Sequence, residues 1–135
     1  MGPLDKYILQ EDALTATSSG FDLKIYSNWY RSLPLSSLGN LQVRINGQNM
    51  LNENVKIGLE KETYDIKLLP SLYKTWWFVL DPLMIHVKED ELRFIKGNEY
   101  KVEVEIGLLI PYVLTGTEEK PLLASAVVSK NLTCN

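Results

Sequence analysis

The chain is short of the side chains that most often carry chemistry. It has one cysteine, Cys134, and one histidine, His86. A single cysteine excludes an internal disulfide framework and points to a reducing compartment, the cytoplasm. A single histidine excludes a metal site built from two or three imidazoles and obliges any hydrolase triad to use His86. No Gly-x-Ser-x-Gly elbow accompanies the serines, and neither common glycine-rich phosphate loop is present. Positive charge is also scarce: 14 Lys and Arg stand against 17 Asp and Glu, a net charge of -3, and the basic residues are scattered. Nucleic acid and anionic membrane both select clustered positive charge, so neither is an expected partner. No apolar run approaches the roughly 20 residues of a membrane-spanning helix. Met1 to Gln10 carries Asp5 and Lys6 and does not read as a signal peptide. The glycosylation triplet Asn131-Leu132-Thr133 is then a chance match.

What the chain has is period-two alternation, which puts apolar side chains on one face of a strand. Phe21, Leu23 and Ile25 alternate with Asp22, Lys24 and Tyr26. Leu41, Val43 and Ile45 alternate with Gln42 and Arg44 and lead into Asn46-Gly47, a tight-turn signal. Val55, Ile57 and Leu59 repeat the pattern, as do Leu83, Ile85 and Val87, with His86 on the outward phase. Tyr100, Val102, Val104 and Ile106 against Lys101, Glu103 and Glu105 is the clearest run, and predicts those four inside. One dry and one wet face belong to antiparallel sheets. Two further strands are expected over Tyr7 to Glu11 and Leu122 to Lys130, and a short helical turn, broken by Pro70, within Tyr64 to Thr75. With 135 residues, no repeat and no linker, the expectation is an all-β, antiparallel two-sheet β-sandwich forming a single domain over 1–135; a closed barrel is the competing architecture.

One connection is long. Asn28 to Asn40 shows no alternation and carries Trp29, Tyr30 and Arg31 side by side, residue types enriched where proteins bind partners. Its plainer reading is a crossover between sheets whose aromatics fold back onto the core. Trp76-Trp77-Phe78 offers a second pair of readings. Alternation puts Trp76 and Phe78 on one face, taken as the core face, and Trp77 on the other, where it would serve as an interface or a sugar-stacking platform. Glu89-Asp90-Glu91 and Glu118-Glu119 read as solvated turns, since no calcium-loop spacing surrounds them. Cys134 has no nearby base in sequence and reads as idle.

Several segments, in order along nearly the whole chain, resemble the small β subunit of bacterial C-glycoside deglycosidases. They are Asp5-Lys6-Tyr7-Ile8 with Glu11-Asp12-Ala13-Leu14; Tyr30-Arg31-Ser32-Leu33-Pro34-Leu35-Ser36, similar to a Tyr-Arg-Gly-x-Pro-Leu-Ser motif with Ser32 in place of the glycine; Leu41 to Gly47; Trp77-Phe78 with Asp81-Pro82; and Lys96 to Val102 leading to Ile110-Pro111-Tyr112.

The resemblance implies a hetero-oligomer in which this subunit joins a larger α subunit, a TIM barrel holding a divalent metal, manganese or similar. It also implies substrates that are flavonoid or related C-glycosides already oxidised to the 3-ketone of the sugar. A C–C glycosidic bond has no oxygen to protonate, so two-carboxylate glycosidase chemistry does not apply. A C3 ketone acidifies the C2 proton, and a metal can stabilise the enolate while the aglycone carbon departs and is protonated. That is a carbon–carbon lyase reaction whose base and metal are expected on the α subunit. No catalytic, cofactor-binding or metal residue is expected on this chain. The residues expected at the partner interface or near substrate are Asn28, Trp29, Tyr30, Arg31, Pro34, Leu35 and Ser36, with Tyr30, Arg31 and Leu35 as the principal contacts. The alternative reading is a non-catalytic carbohydrate-binding or adaptor β-sandwich using Trp77 or the Trp29–Tyr30 surface.

Overall fold

In the computed structural model, which describes residues 7–29, 31–50, 52–59, 62–78, 80–88, 95–115 and 120–134, the alternating segments become strands of two antiparallel sheets. The strands are β1 (Leu14–Ala16), β2 (Gly20–Ile25), β3 (Leu33–Pro34), β4 (Leu38–Ile45), β5 (Gln48–Asn49), β6 (Val55–Leu59), β7 (Glu62–Asp65), β8 (Trp76–Trp77), β9 (Leu83–Lys88), β10 (Glu99–Thr115) and β11 (Lys120–Thr133). One sheet has the order β1-β2-β9-β6-β7 and the other β11-β10-β4-β5, with β3 and β8 forming a small separate ribbon. The open edges and two orders make a sandwich and not a barrel.

The alternation sets which face is dry. Phe21, Leu23 and Ile25 of β2, Ile57 of β6 and Leu83 and Ile85 of β9 are fully buried, and they meet Val43 and Ile45 of β4 and Val102, Val104 and Ile106 of β10 in one core. Tyr100 is buried with them, so all four inward residues expected of that run face inwards. Each such side chain contributes roughly 1.5–3 kcal/mol by leaving water. The outer faces carry the charged partners: Arg44 Nη1 lies 2.7 Å from Glu103 Oε2 across β4 and β10. Asn46 and Gly47 close the β4–β5 hairpin with φ of 51° and 85°, the left-handed pair that a two-residue turn of this hand requires.

Two expectations need correcting. Tyr7 to Glu11 is not a strand: Ile8 and Leu9 are both buried although adjacent, so the chain bends there, and the Tyr26 amide donates to the Ile8 carbonyl. The opening strand is instead Leu14–Ala16. The expected turn within Tyr64 to Thr75 is a 3-10 helix, Ile66–Ser71, that accommodates Pro70 and ends one residue beyond it. The expected final strand is present and longer, running Lys120–Thr133.

Chain order explains the long connection. β2 belongs to one sheet and β4 to the other, so residues 26–37 must cross between them. They do so through the two residues of β3 and a 3-10 turn, Leu35–Ser37, held where the Leu35 amide donates to the Thr75 carbonyl and the Ser36 amide to that of Leu72.

Candidate functional site

The crossover places its residues unequally. Leu35 is fully buried and Leu33 nearly so, so these two are packing residues of the sandwich itself, as the crossover reading has it. Arg31 is exposed, while Trp29, Ser32, Pro34 and Ser36 are half-buried. Tyr30 lies outside the described residues. Asn28 is 8% exposed, with its amide nitrogen 3.5 Å from the Ala124 carbonyl of β11 and its side-chain oxygen buried with no partner among the described residues. A buried orphan acceptor is costly, about 1–3 kcal/mol, so Asn28 is a position to watch for a donor brought by another molecule.

β3 pairs with β8, Leu33 opposite Trp77 and Pro34 opposite Trp76. The two segments singled out separately in the sequence are therefore one ribbon. Its facing is the reverse of that expected: Trp77 is buried, donating its indole N–H to the Asp81 carbonyl at 2.8 Å, whereas Trp76 is 49% and Phe78 54% exposed. Alternation fixed that they point oppositely and could not say which side was dry. An exposed Trp77 platform, part of the carbohydrate-binding alternative, is thereby removed. Trp76 and Phe78 join Tyr73 and Leu68 as large exposed apolar side chains on the segment beside the crossover. Large apolar side chains exposed within one segment are candidates for an interaction surface.

On the opposite sheet the one histidine has a partner. His86 and Asp22 face each other across β9 and β2, with His86 Nδ1 2.7 Å from Asp22 Oδ1. The ring lies where Gly58 has no side chain: a Cβ there would stand 2.6 Å from Nε2. The glycine inside the alternating Val55–Leu59 run was the sequence signal for this close approach. The pair borders a cavity of about 220 Å³ lined also by Thr17, Glu53 and Lys56. A His–Asp pair can orient an imidazole for proton transfer, but it needs a substrate or nucleophile within reach, and the cavity is smaller than the roughly 300–1,000 Å³ of ordinary ligand sites.

Among the described residues no group of three or more His, Cys, Asp or Glu side chains is placed to hold a metal ion. Cys134 is buried, and burial pushes its thiol above the ordinary value, which makes it unreactive. Glu89 to Glu91 and Glu118 and Glu119 lie outside the described residues. Among the described residues no helix is long and apolar enough to cross a membrane.

Comparison with known proteins gives this surface a context. The model of the family described as C-glycoside deglycosidase beta subunit matches residues 4–112. A C-glycoside deglycosidase beta subunit of Arthrobacter globiformis is 29% identical over 106 residues, covering 78% of this chain and 80% of the relative. A 3'-dehydrocarminate deglycosidase beta subunit of a Microbacterium species is 26% identical over 106 residues, 78% of each. A C-glycoside deglycosidase beta subunit of Microbacterium trichothecenolyticum is 22% identical over 112 residues, 83% of each.

Proposed function

Because the chain belongs to the family of C-glycoside deglycosidase beta subunits, we propose that it serves a cytoplasmic carbon–carbon lyase by docking on a larger catalytic subunit through the crossover and the adjoining β3–β8 ribbon. The subunit name of the relatives implies a partner subunit in a heteromeric enzyme. On this reading the partner is a barrel that carries the base and a divalent metal such as manganese.

The substrate is a C-glycoside of a flavonoid or related polyphenol bearing a 3-keto sugar. One relative is named for a 3'-dehydro compound, which supports a keto sugar as the reacting group. The C2 proton goes to a base, the C1–C(aglycone) bond breaks with its electron pair moving to the aglycone carbon, and that carbon takes a proton. An unsaturated keto sugar and a free aglycone result, with no net oxidation.

The observation that carries the reading is the pairing of β3 with β8, which sets the crossover that carries the exposed Arg31 beside a segment whose Trp76 and Phe78 are exposed. Arg31 offers a planar fork of donors, and Trp76 and Phe78 offer area to desolvate. The test is to co-express the chain with the larger subunit encoded in the same genome and measure complex mass by light scattering. Arg31→Ala or Trp76→Ala should weaken association by about 1–4 kcal/mol without lowering the melting temperature of the chain. Undiminished association of both variants would refute the assignment of this surface.

A further inference from the structure

We infer that the groove between the crossover, the start of β4 and the 3-10 helix Ile66–Ser71 is a small-molecule site for a planar phenol, a step that rests on the heteromeric reading above for the aglycone as its ligand. The alternation of β4 breaks at its start, where Leu38 and Leu41 are buried and the two residues between them, Gly39 and Asn40, are exposed. The register with β10 gives the reason. Asn40 stands opposite Gly107 and Leu38 opposite Leu108, so Gly39 is an extra residue and the strand bulges there. Bulges gather beside functional sites, and a glycine inside a strand often marks the close approach of a ligand or another backbone. No side chain projects from Gly39, and a Cβ there would stand 3.3 Å from Leu109 Cδ1. The space left is a groove of about 430 Å³, within the roughly 300–1,000 Å³ of ordinary ligand sites.

The groove has a dry floor and a polar rim. Leu38, Leu41 and Leu69 of its lining are buried in the core. Ser36 and Gln42 are half-buried and Lys67 is exposed, and none of these three side chains is hydrogen-bonded to another described residue. Asn40, also in the lining, donates to Glu105 Oε2 at 3.0 Å.

This arrangement selects the ligand. A sugar carries hydroxyls around its whole perimeter and would turn several of them onto leucine, where they lose water and gain no partner. Among the described lining residues there is also no aromatic ring on which a sugar would stack. A planar phenol lays its apolar ring on the leucine floor and turns its hydroxyls to the rim. There the Ser36 hydroxyl and Gln42 amide can donate or accept, and the Lys67 ammonium donates. Because Ser36 belongs to the crossover, the groove reaches the segment proposed to meet the larger subunit, and ligand sites favour such boundaries.

The test titrates the full, isotopically labelled chain with a flavone aglycone, and separately with glucose, while backbone amides are followed by nuclear magnetic resonance. Saturable shifts centred on residues 36–42, 66–70 and 109 are expected with the flavone and none with glucose. Gly39→Val fills the groove at a position of ordinary φ and should weaken flavone binding at least about tenfold. If that variant does not fold, Lys67→Ala, at an exposed position, takes its place and should weaken binding severalfold at an unchanged melting temperature. No flavone binding, shifts centred on Trp76, equal shifts from glucose, or undiminished binding by the folded variant would each overturn the site. If the chain does not bind the larger subunit, the subunit reading falls while the titration still decides the groove.

Discussion

Trp77 and Trp76 are neighbours in sequence with opposite exposures, and truncating each gives opposite consequences. Trp77 is 3% exposed, packs in the core and hydrogen-bonds the Asp81 carbonyl. Removing its indole leaves a large hole beneath the β3–β8 ribbon, and such truncations cost about 3–5 kcal/mol. With an unfolding entropy of about 2.1 cal/mol/K per residue, that lowers the melting temperature of a chain this size by roughly 10–18 °C. Trp77→Phe keeps an aromatic ring but loses the N–H donor, and should cost about 1–2 kcal/mol. Trp76→Ala removes a side chain half in water and should change stability by no more than about 1 kcal/mol. Urea unfolding followed by far-ultraviolet circular dichroism compares all three without relying on the fluorophore being altered. A loss below about 1 kcal/mol for Trp77→Ala, or an equal loss for Trp76→Ala, would refute the facing of the ribbon and with it the exposed surface built on Trp76 and Phe78.

Other consequences are smaller. Gly47→Ala forces a Cβ into a φ of 85° at the β4–β5 turn and should cost about 1–2 kcal/mol in the same urea assay. Glu103→Gln weakens the pair with Arg44, both side chains about 30% exposed, and should cost under about 1 kcal/mol, less still in high salt. Cys134 is buried with its thiol pKa raised by that burial, so a thiol reagent should label the native chain far more slowly than the chain in urea. The sign follows for pH: above the unfolded thiol's ordinary value of about 8.5 the unfolded chain loses the proton first, so melting temperature should fall as pH rises further, and Cys134→Ser should flatten that fall.

The sandwich was readable because its signal repeats: each of β2, β4, β6, β9 and β10 carries its own alternation, and each face assignment is supported by charged residues on the other. Tyr7 to Glu11 failed because two adjacent buried side chains, Ile8 and Leu9, suit a bend and leave no period to read. Trp76-Trp77-Phe78 failed differently. Three aromatics in a row alternate with no polar residue, so the phase is visible and the dry side is not. The crossover was visible as a break in pattern, but that Leu35 is core and Arg31 exposed depends on the two sheets it joins. Its pairing with β8 is a tertiary fact that no local pattern encodes. The Asp22–His86 contact likewise arises from cross-strand register, with Gly58 the one local sign of it.

The central claim is that this chain is the non-catalytic partner of a heteromeric deglycosidase. The most direct measurement is turnover of a 3-keto flavonoid C-glycoside by this chain, by the larger subunit from the same genome, and by the two together, with aglycone release followed by chromatography. The account predicts no release by this chain alone and aglycone release by the co-purified complex. Release by this chain alone, or no stable complex and no gain in turnover on mixing, would contradict it.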